Sequence, residues 1–347
     1  MKIILDAMGG DHAPEAPVLG AVQAARDFGA QITLVGRGDE ILEVMRKHNI
    51  QDLPVGMEIA NADEVVDMHD DPANVIRKKK NSSMVIGLKM VADGEGDAFV
   101  SAGSTGALLS GATLLVKRVK GIRRAAMGPV MPNKAGGKTV ILDCGANAEC
   151  PGEFLLQFGL VGSLYAKKYL GVENPKVGLL NIGTEDTKGT PLQKEAYALL
   201  TQASEQGILN FVGNVEARDV PLGAVDVVVC DGFVGNVALK LSEGLAKSIT
   251  NLLKRELKSN GIMPKLGAML SMPAFKSFKK VVDYAEYGGA PLLGLKGIAI
   301  VCHGKSNPKA ICSAVKMANS YIAKGTQQRL VEAISANEEL SSYAMSL

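Results

Sequence analysis

The feature that most constrains this chain is a recurring pattern: a short apolar run ends in small polar residues, and a helical pattern follows. Lys2 to Met8 leads into Gly9-Gly10-Asp11-His12, Ala98 to Val100 into Ser101-Ala102-Gly103-Ser104-Thr105-Gly106, and Thr139 to Leu142 into Asp143-Cys144-Gly145-Ala146-Asn147. Lys176 to Leu180 leads into Asn181-Ile182-Gly183-Thr184-Glu185, Val225 to Cys230 into Asp231-Gly232-Phe233-Val234-Gly235-Asn236, and Gly297 to Cys302 into His303-Gly304-Lys305-Ser306. A strand covered on both faces has no polar alternation. Nearly continuous apolar runs alternating with helices therefore predict an α/β fold, a three-layer, doubly wound and mostly parallel sheet. Further strands are expected at Ile32 to Val35, Met57 to Ile59 and Phe211 to Val212. Helices are expected over Glu40 to His48, Ser82 to Ala92, Gly106 to Val119, Gly152 to Leu170, Leu192 to Gln202 and Asn236 to Leu257.

In an open parallel sheet every strand-to-helix loop leaves from the carboxyl edge, where ligands bind. The six loops are thus expected to meet in one crevice, although Gly and Asn also make tight turns and cap helices. Composition narrows what the crevice holds. Thirty-nine Gly stand against eight Phe, seven Tyr and no Trp, too few aromatic platforms for a single-stranded nucleic-acid groove. A net charge of +2 gives no global attraction to polyanions. Five Cys without C-x-x-C spacing read as small core residues in a reducing compartment. The start of the chain meets Asp6 and two glycines before an apolar signal core forms, and nowhere do eighteen uncharged apolar residues run together. A cytoplasmic protein without a membrane span is expected.

No repeat or linker divides the chain, so residues 1–347 are expected to form a single α/β catalytic domain, with a basic amphipathic insertion at 254–283 and a C-terminal helical tail at 326–347. The insertion carries Lys254, Arg255, Lys258, Lys265, Lys276, Lys279 and Lys280 against Glu256, with Pro264 and Pro273 dividing it. Leu266, Met269 and Leu270 share one helical face, and Phe275, Phe278 and Val282 another.

Several familiar chemistries are excluded. The P-loop pattern fails because Pro132 stands where its first glycine belongs, and the dinucleotide fingerprint fails at Ile41 and Phe99. No G-x-S-x-G elbow surrounds Ser104. The four histidines show no metal-ligand spacing, so no cofactor and no metal are expected. His12 and His303 each follow a strand in a Gly loop and could reach the crevice as proton donor or phosphate ligand, or simply bond within the turn.

Two loops suit an anion. Asn181 to Gly189 combines backbone donors, Thr184 and Lys188. Asp231 to Asn236 opens a helix that carries Lys240 one turn inside, although Asn236 could be only an N-cap. The run Arg77-Lys78-Lys79-Lys80 reads as a solvated helix end.

These loops, with Asn214-Val215-Glu216-Ala217-Arg218-Asp219 and Tyr287-Gly288-Gly289-Ala290-Pro291-Leu292-Leu293-Gly294-Leu295-Lys296-Gly297, closely resemble the PlsX family of bacterial phosphate acyltransferases, in order from residue 1 to about 320. The resemblance implies a fold like those of phosphotransacetylases and isopropylmalate dehydrogenases, and a homodimer. It implies transfer of a long fatty acyl group from acyl carrier protein to inorganic phosphate, giving an acyl phosphate for glycerol 3-phosphate acylation. Cys144 stands where many relatives carry an apolar residue, which gives no support to a thiol nucleophile.

Residue reading and resemblance together assign expected roles. Lys188 is the principal cation at phosphate or oxyanion, Asn236 acts beside it, and His12 gives a proton to the departing thiolate. Gly10, Ser104, Thr105, Asn147, Asn181, Thr184, Asp231 and Lys240 bind substrate or phosphate. Met263, Leu266, Met269 and Leu270 of the insertion enter an anionic membrane surface while its lysines meet headgroups, close to the downstream glycerol 3-phosphate acyltransferase. The same helices could pack in the dimer, or the lysines could dock acyl carrier protein. Competing readings are a short-chain phosphotransacylase acting on acyl-CoA and a non-enzymatic membrane adaptor.

Overall fold

The computed structural model describes residues 1–134, 136–259, 261–282, 286 and 288–336. The chain opens with β1 (Lys2–Asp6), α1 (Glu15–Phe28), β2 (Gln31–Gly36), α2 (Gly38–Lys47), β3 (Met57–Asn61), α3 (Val75–Lys78), α4 (Ser83–Ala92), β4 (Ala98–Ser101) and α5 (Thr105–Gly111), the last continued by a π-helical turn over Ala112–Val116. There follow β5 (Ala126–Met127), β6 (Val130–Pro132), β7 (Lys138–Leu142), α6 (Gly152–Tyr165), β8 (Lys176–Leu180), α7 (Pro191–Glu205), β9 (Asn210–Val215), β10 (Val227–Val229) and α8 (Gly232–Ser259). The remainder is α9 (Ile262–Leu270), α10 (Met272–Val282), β11 (Ala290–Leu293), β12 (Ile298–Val301), α11 (Pro308–Ala323) and α12 (Thr326–Ala336).

Apolar residues on both faces of the strands decide the layering. Ile3 and Leu5 of β1 join a core with Val18 of α1 and Ile311 of α11, whereas Ile4 between them packs with Met84 and Leu88 of α4. Val227, Val228 and Val229 of β10 are likewise all fully buried. The class is α/β with mostly parallel strands, as the sequence predicts.

The strands nevertheless divide between two sheets, where the sequence suggests one. The first has the order β3-β2-β1-β4-β12-β11-β5 and the second β6-β7-β10-β8-β9. They meet at Ala126–Pro132. There β5 pairs antiparallel with β11, through Met127 opposite Leu292, and β6 pairs antiparallel with β7, through Val130 opposite Val140. Gly128 N–H donates to Pro291 on one side and Ile141 N–H to Pro129 on the other, so the chain changes partner within a few residues.

Each helix expected from periodicity forms, with its ends moved by four residues at most. Helix α6 keeps its expected length only by continuing as a π-helical turn over Ala166–Leu170. The first residues of the expected insertion, Lys254 to Ser259, continue α8 unbroken, and a separate helix starts only at Ile262. Pro264 and Pro273 then fall in the first turns of α9 and α10, where a missing N–H costs nothing. Asp283, the last residue of the expected insertion, lies outside the described residues. Of the expected tail, Thr326–Ala336 is α12, and residues 337–347 lie outside the described residues.

Candidate active site

A cavity of about 550 Å³ lies across the line where the two sheets meet. Four of the six glycine-rich loops reach it: Gly103 and Thr105 after β4, Cys144 and Gly145 after β7, Asn236 and Lys240 after β10, and His303 and Gly304 after β12. The loops after β1 and β8 do not line it, because each of those strands lies one place further from the junction in its sheet. The cavity is lined by the polar side chains of Thr105, Asn236, Lys240, Glu243 and His303. It is lined as well by the apolar side chains of Met127, Val130, Met131 and Leu239.

Two buried carboxylates shape the loops. Asp143, at the end of β7, accepts from the backbone N–H of Met127 (2.8 Å), Ala146 (3.3 Å) and Asn147 (2.5 Å) and from Asn147 Nδ2 (3.0 Å). Asn147 Nδ2 also donates to the Ala125 carbonyl at 2.9 Å. Asn147 thus binds its own loop to β5 and is buried, not a lining residue of the cavity. Burial pushes the Asp143 carboxyl above its ordinary value, and these four bonds act in the opposite direction. Asp6, at the end of β1, repeats the device: it accepts from Ser101 Oγ at 2.7 Å and Met8 N–H at 3.1 Å, and burial again raises it.

Helix α8 brings the cation. Its first turn is held by Asp231 Oδ1, which accepts from Val234 N–H at 2.8 Å, so Asp231 caps the helix from a buried position. Gly145 has φ +107°, a backbone conformation that favours glycine, and its bare Cα faces the Asn236 side chain. One turn on, Lys240 Nζ pairs with Glu243 Oε2 at 2.9 Å, both on the cavity side. Glu243 carried no sequence signal beyond its place three residues after Lys240. Across the cavity, Ser104 Oγ accepts from Ala107 N–H at 3.4 Å and caps α5, which leaves its neighbour Thr105 on the wall.

His303 lines the cavity, half-buried, and its Nδ1 accepts from the backbone N–H of Lys305 at 3.0 Å. Burial, and then the Lys240 charge, lower its pKa from the ordinary 6.5. His12, which carries the same sequence signal, is exposed on the β1 loop and is not among the lining residues. That loop, with Gly10, leans on the β12 loop through Asp11 N–H donating to Gly304 O at 2.8 Å.

Lys188 and Thr184 are exposed on the β8 loop, away from the cavity lining. Asn181 braces that loop, its Nδ2 donating to the Lys188 carbonyl at 3.2 Å and its Oδ1 accepting from Ile182 N–H at 2.8 Å. Cys144 and Cys302 line the cavity, but burial pushes Cys302 up to about 12 and Cys144 well above its ordinary value, so both are thiols at neutral pH. Among the described residues no three His, Cys, Asp or Glu side chains stand close enough to hold a metal, and no helix is long and apolar enough to cross a membrane.

Two apolar surfaces lie outside the cavity. Val237, Leu241, Leu245, Ile249 and Leu252 of α8 are exposed along one stripe. Met263, Met269 and Leu270 of α9 are exposed as well; the side chain of Leu266 lies outside the described residues.

The fold is similar to a phosphotransacetylase from Streptococcus pyogenes, with a TM-score of 0.61, 18% identity, and 93% of this chain and 94% of that one covered. It is also similar to a 4-hydroxythreonine-4-phosphate dehydrogenase from Burkholderia phymatum, with a TM-score of 0.50, 12% identity, and 92% and 97% covered. In sequence the chain is 51% identical over 341 residues to a protein of Nitratidesulfovibrio vulgaris (strain DP4) named phosphate acyltransferase, covering 98% of this chain and 97% of the relative. Residues 1–329 match the family described as fatty acid synthesis protein. A match of that length, together with that identity, means that the chain belongs to this family, the PlsX family whose loops its own resemble.

Proposed function

We propose that the protein is a phosphate acyltransferase that moves a long-chain fatty acyl group from acyl carrier protein to inorganic phosphate. The observation that carries this reading is the mixed lining of the cavity, where polar Thr105, Asn236, Lys240 and His303 occur together with apolar Met127, Val130, Met131 and Leu239. Its volume of about 550 Å³ is far larger than an acetyl group needs, and it is of the size of small-ligand sites in general. The match to the fatty acid synthesis family and to a relative named phosphate acyltransferase supports this reading over the short-chain phosphotransacylase, to which the fold likeness to phosphotransacetylase otherwise points.

The chemistry needs no resident cofactor. Hydrogen phosphate carries two negative charges, and one of its oxygens attacks the thioester carbonyl carbon. The carbon–sulfur bond then breaks, and the proton that phosphate brought ends on the sulfur. Products are acyl phosphate and the free carrier thiol. Placement and charge stabilisation supply the acceleration. Lys240, Asn236 and Thr105 hold phosphate. Lys188, with Asn181 and Thr184, offers a second cation on the next loop outward at the same sheet edge, and Gly10 and His12 complete the loop layer at the first sheet. Asn147, Asp231 and Ser104 serve by fixing the loops.

The whole chain acts as one catalytic unit. A homodimer covers the apolar stripe of α8, and α9 with α10 rests on an anionic membrane, where a poorly water-miscible acyl phosphate passes to glycerol 3-phosphate acylation in phospholipid synthesis. The test is thiol release from long-chain acyl carrier protein with and without phosphate, with hydroxylamine trapping the acyl phosphate. Phosphate-dependent release with trapped product supports the reading. Release only from short acyl-CoA replaces it with the phosphotransacylase, and no release from either leaves the membrane-adaptor reading.

A further inference from the structure

We propose that Met131 is a specificity-determining residue: it meets the acyl chain about ten carbons from the thioester carbonyl and sets how well longer chains are accepted. The inference rests on the acyl-transfer reading and adds a gauge of chain length to the same cavity.

Strand register gives the cavity a direction. At one end Met127 lies against the β7 loop, its N–H donating to Asp143 Oδ1 at 2.8 Å and its carbonyl accepting from Cys144 N–H at 3.1 Å. Gly145, the next residue of that loop, faces the Asn236 side chain, and the charges of Lys240 and Glu243 act on both Cys144 and His303. The charged side chains of the cavity are therefore at this end. From Met127 the chain enters β6, which runs antiparallel to β7 and so away from the loop. Met131 stands opposite Thr139, which precedes Asp143 by about 13 Å of extended chain. Beyond it Lys134 N–H donates to the Pro221 carbonyl at 2.8 Å, and both Pro132 and Pro221 line the cavity.

The length between the two ends is apolar. Met127, Met131 and Leu239 of α8 pack against one cluster that contains Ile141 and Cys144, so the three share a face of the second sheet. Helix α8 lines the cavity from Asn236 to Ala246, about 15 Å at the α-helical rise, which agrees with the span along β7. An extended hydrocarbon advances about 1.3 Å per carbon, so 13 Å takes about ten carbons. With its carbonyl beside Gly145 and Asn236, an eight-carbon chain ends short of Met131 and a sixteen-carbon chain passes it. Met131 is half-buried, and its unbranched thioether can lie along a passing chain, which a rigid ring or an amide cannot do as well.

The experiment measures phosphate-dependent thiol release from acyl carrier protein loaded with an eight-carbon or a sixteen-carbon chain, and reads the ratio of kcat/KM for the longer over the shorter. The full-length protein is compared with Met131→Phe, Met131→Gln and Met127→Phe. Met131→Phe overfills the far stretch and is expected to lower the ratio at least about tenfold. Met131→Gln keeps the length of the side chain but sets an amide where only the long chain covers it, and the ratio is expected to fall at least about fivefold. Met127→Phe obstructs the end that both chains share, so its ratio is expected to stay within about threefold of wild type. Either Met131 variant with a ratio within about threefold of wild type overturns the proposal, as does a Met127→Phe ratio that falls as far as that of Met131→Phe. If Met131→Phe does not fold, the Gln ratio decides. A wild type with no phosphate-dependent release from either chain removes the acyl-transfer reading and this role with it, a result distinct from an active enzyme whose ratio is indifferent to Met131.

Discussion

A β-carbon on Gly235 would stand 1.9 Å from the backbone carbonyl oxygen of Asp143. Helix α8 therefore meets the β7 loop backbone against backbone, and Asn236, the next residue, takes its place in the cavity from that contact. Replacing Gly235 by Ala forces the two apart. The expected cost is at least about 1–3 kcal/mol in a urea melt, with a loss of turnover beyond what the fraction unfolded explains. An unchanged melt would show that the contact yields freely.

The buried carboxylates set a pH dependence of stability. Burial raises Asp6 above its ordinary value of 3.8, so the folded chain holds this proton to higher pH than the unfolded chain. Its contribution is then fully present below the unfolded value and is lost as pH rises through the folded one. The stability advantage of wild type over Asp6→Asn should accordingly shrink from about pH 4 towards neutrality. Urea titrations at several pH values read this directly, and an advantage that grew with pH would contradict the sign.

Lys240 is paired with Glu243 at the cavity wall. Lys240→Met should lower kcat/KM for phosphate by about ten- to a hundredfold, chiefly through KM, because the lost charge faces a dianion. Glu243→Gln releases the ammonium from its partner and should move KM the other way. Equal KM values in all three proteins would remove Lys240 from the phosphate site.

The exposed stripe on α8 and the exposed face of α9 separate by experiment. Leu245→Glu is expected to shift sedimentation towards the monomer while leaving flotation with anionic liposomes intact, and Met269→Glu with Leu270→Glu to do the reverse. Both variants behaving as wild type in both assays would remove the two interaction surfaces together.

Much of this was legible in the sequence. Continuous apolar runs such as Val227 to Val229 announce strands covered on both faces, and Gly-Ser-Thr or Asp-Gly at their ends announces the loops. Strand order was not legible, and it decides which loops matter. His12 and His303 look alike as residues after a strand, yet β12 lies nearer the sheet junction than β1, and only His303 reaches the cavity. Lys188 lies off the lining for the same reason, since β8 stands outside β10. The junction itself was hidden because β5, β6 and β11 have two to four residues each, too few to show a period. Asn147 read as a ligand because amide side chains look the same whether they face a substrate or, as here, a buried carboxylate.

Strand β12 sits between β4 and β11, although almost two hundred residues separate β4 from it along the chain. At ribosomal rates of about 5–20 residues per second, β4 emerges some 10–40 s before its neighbour exists. Throughout that interval the nascent first sheet carries an apolar strand with unpaired amides and carbonyls, an edge open to other growing chains. The cavity wall that holds His303 is thus among the last parts of the protein to be made, and the first sheet waits on it to close.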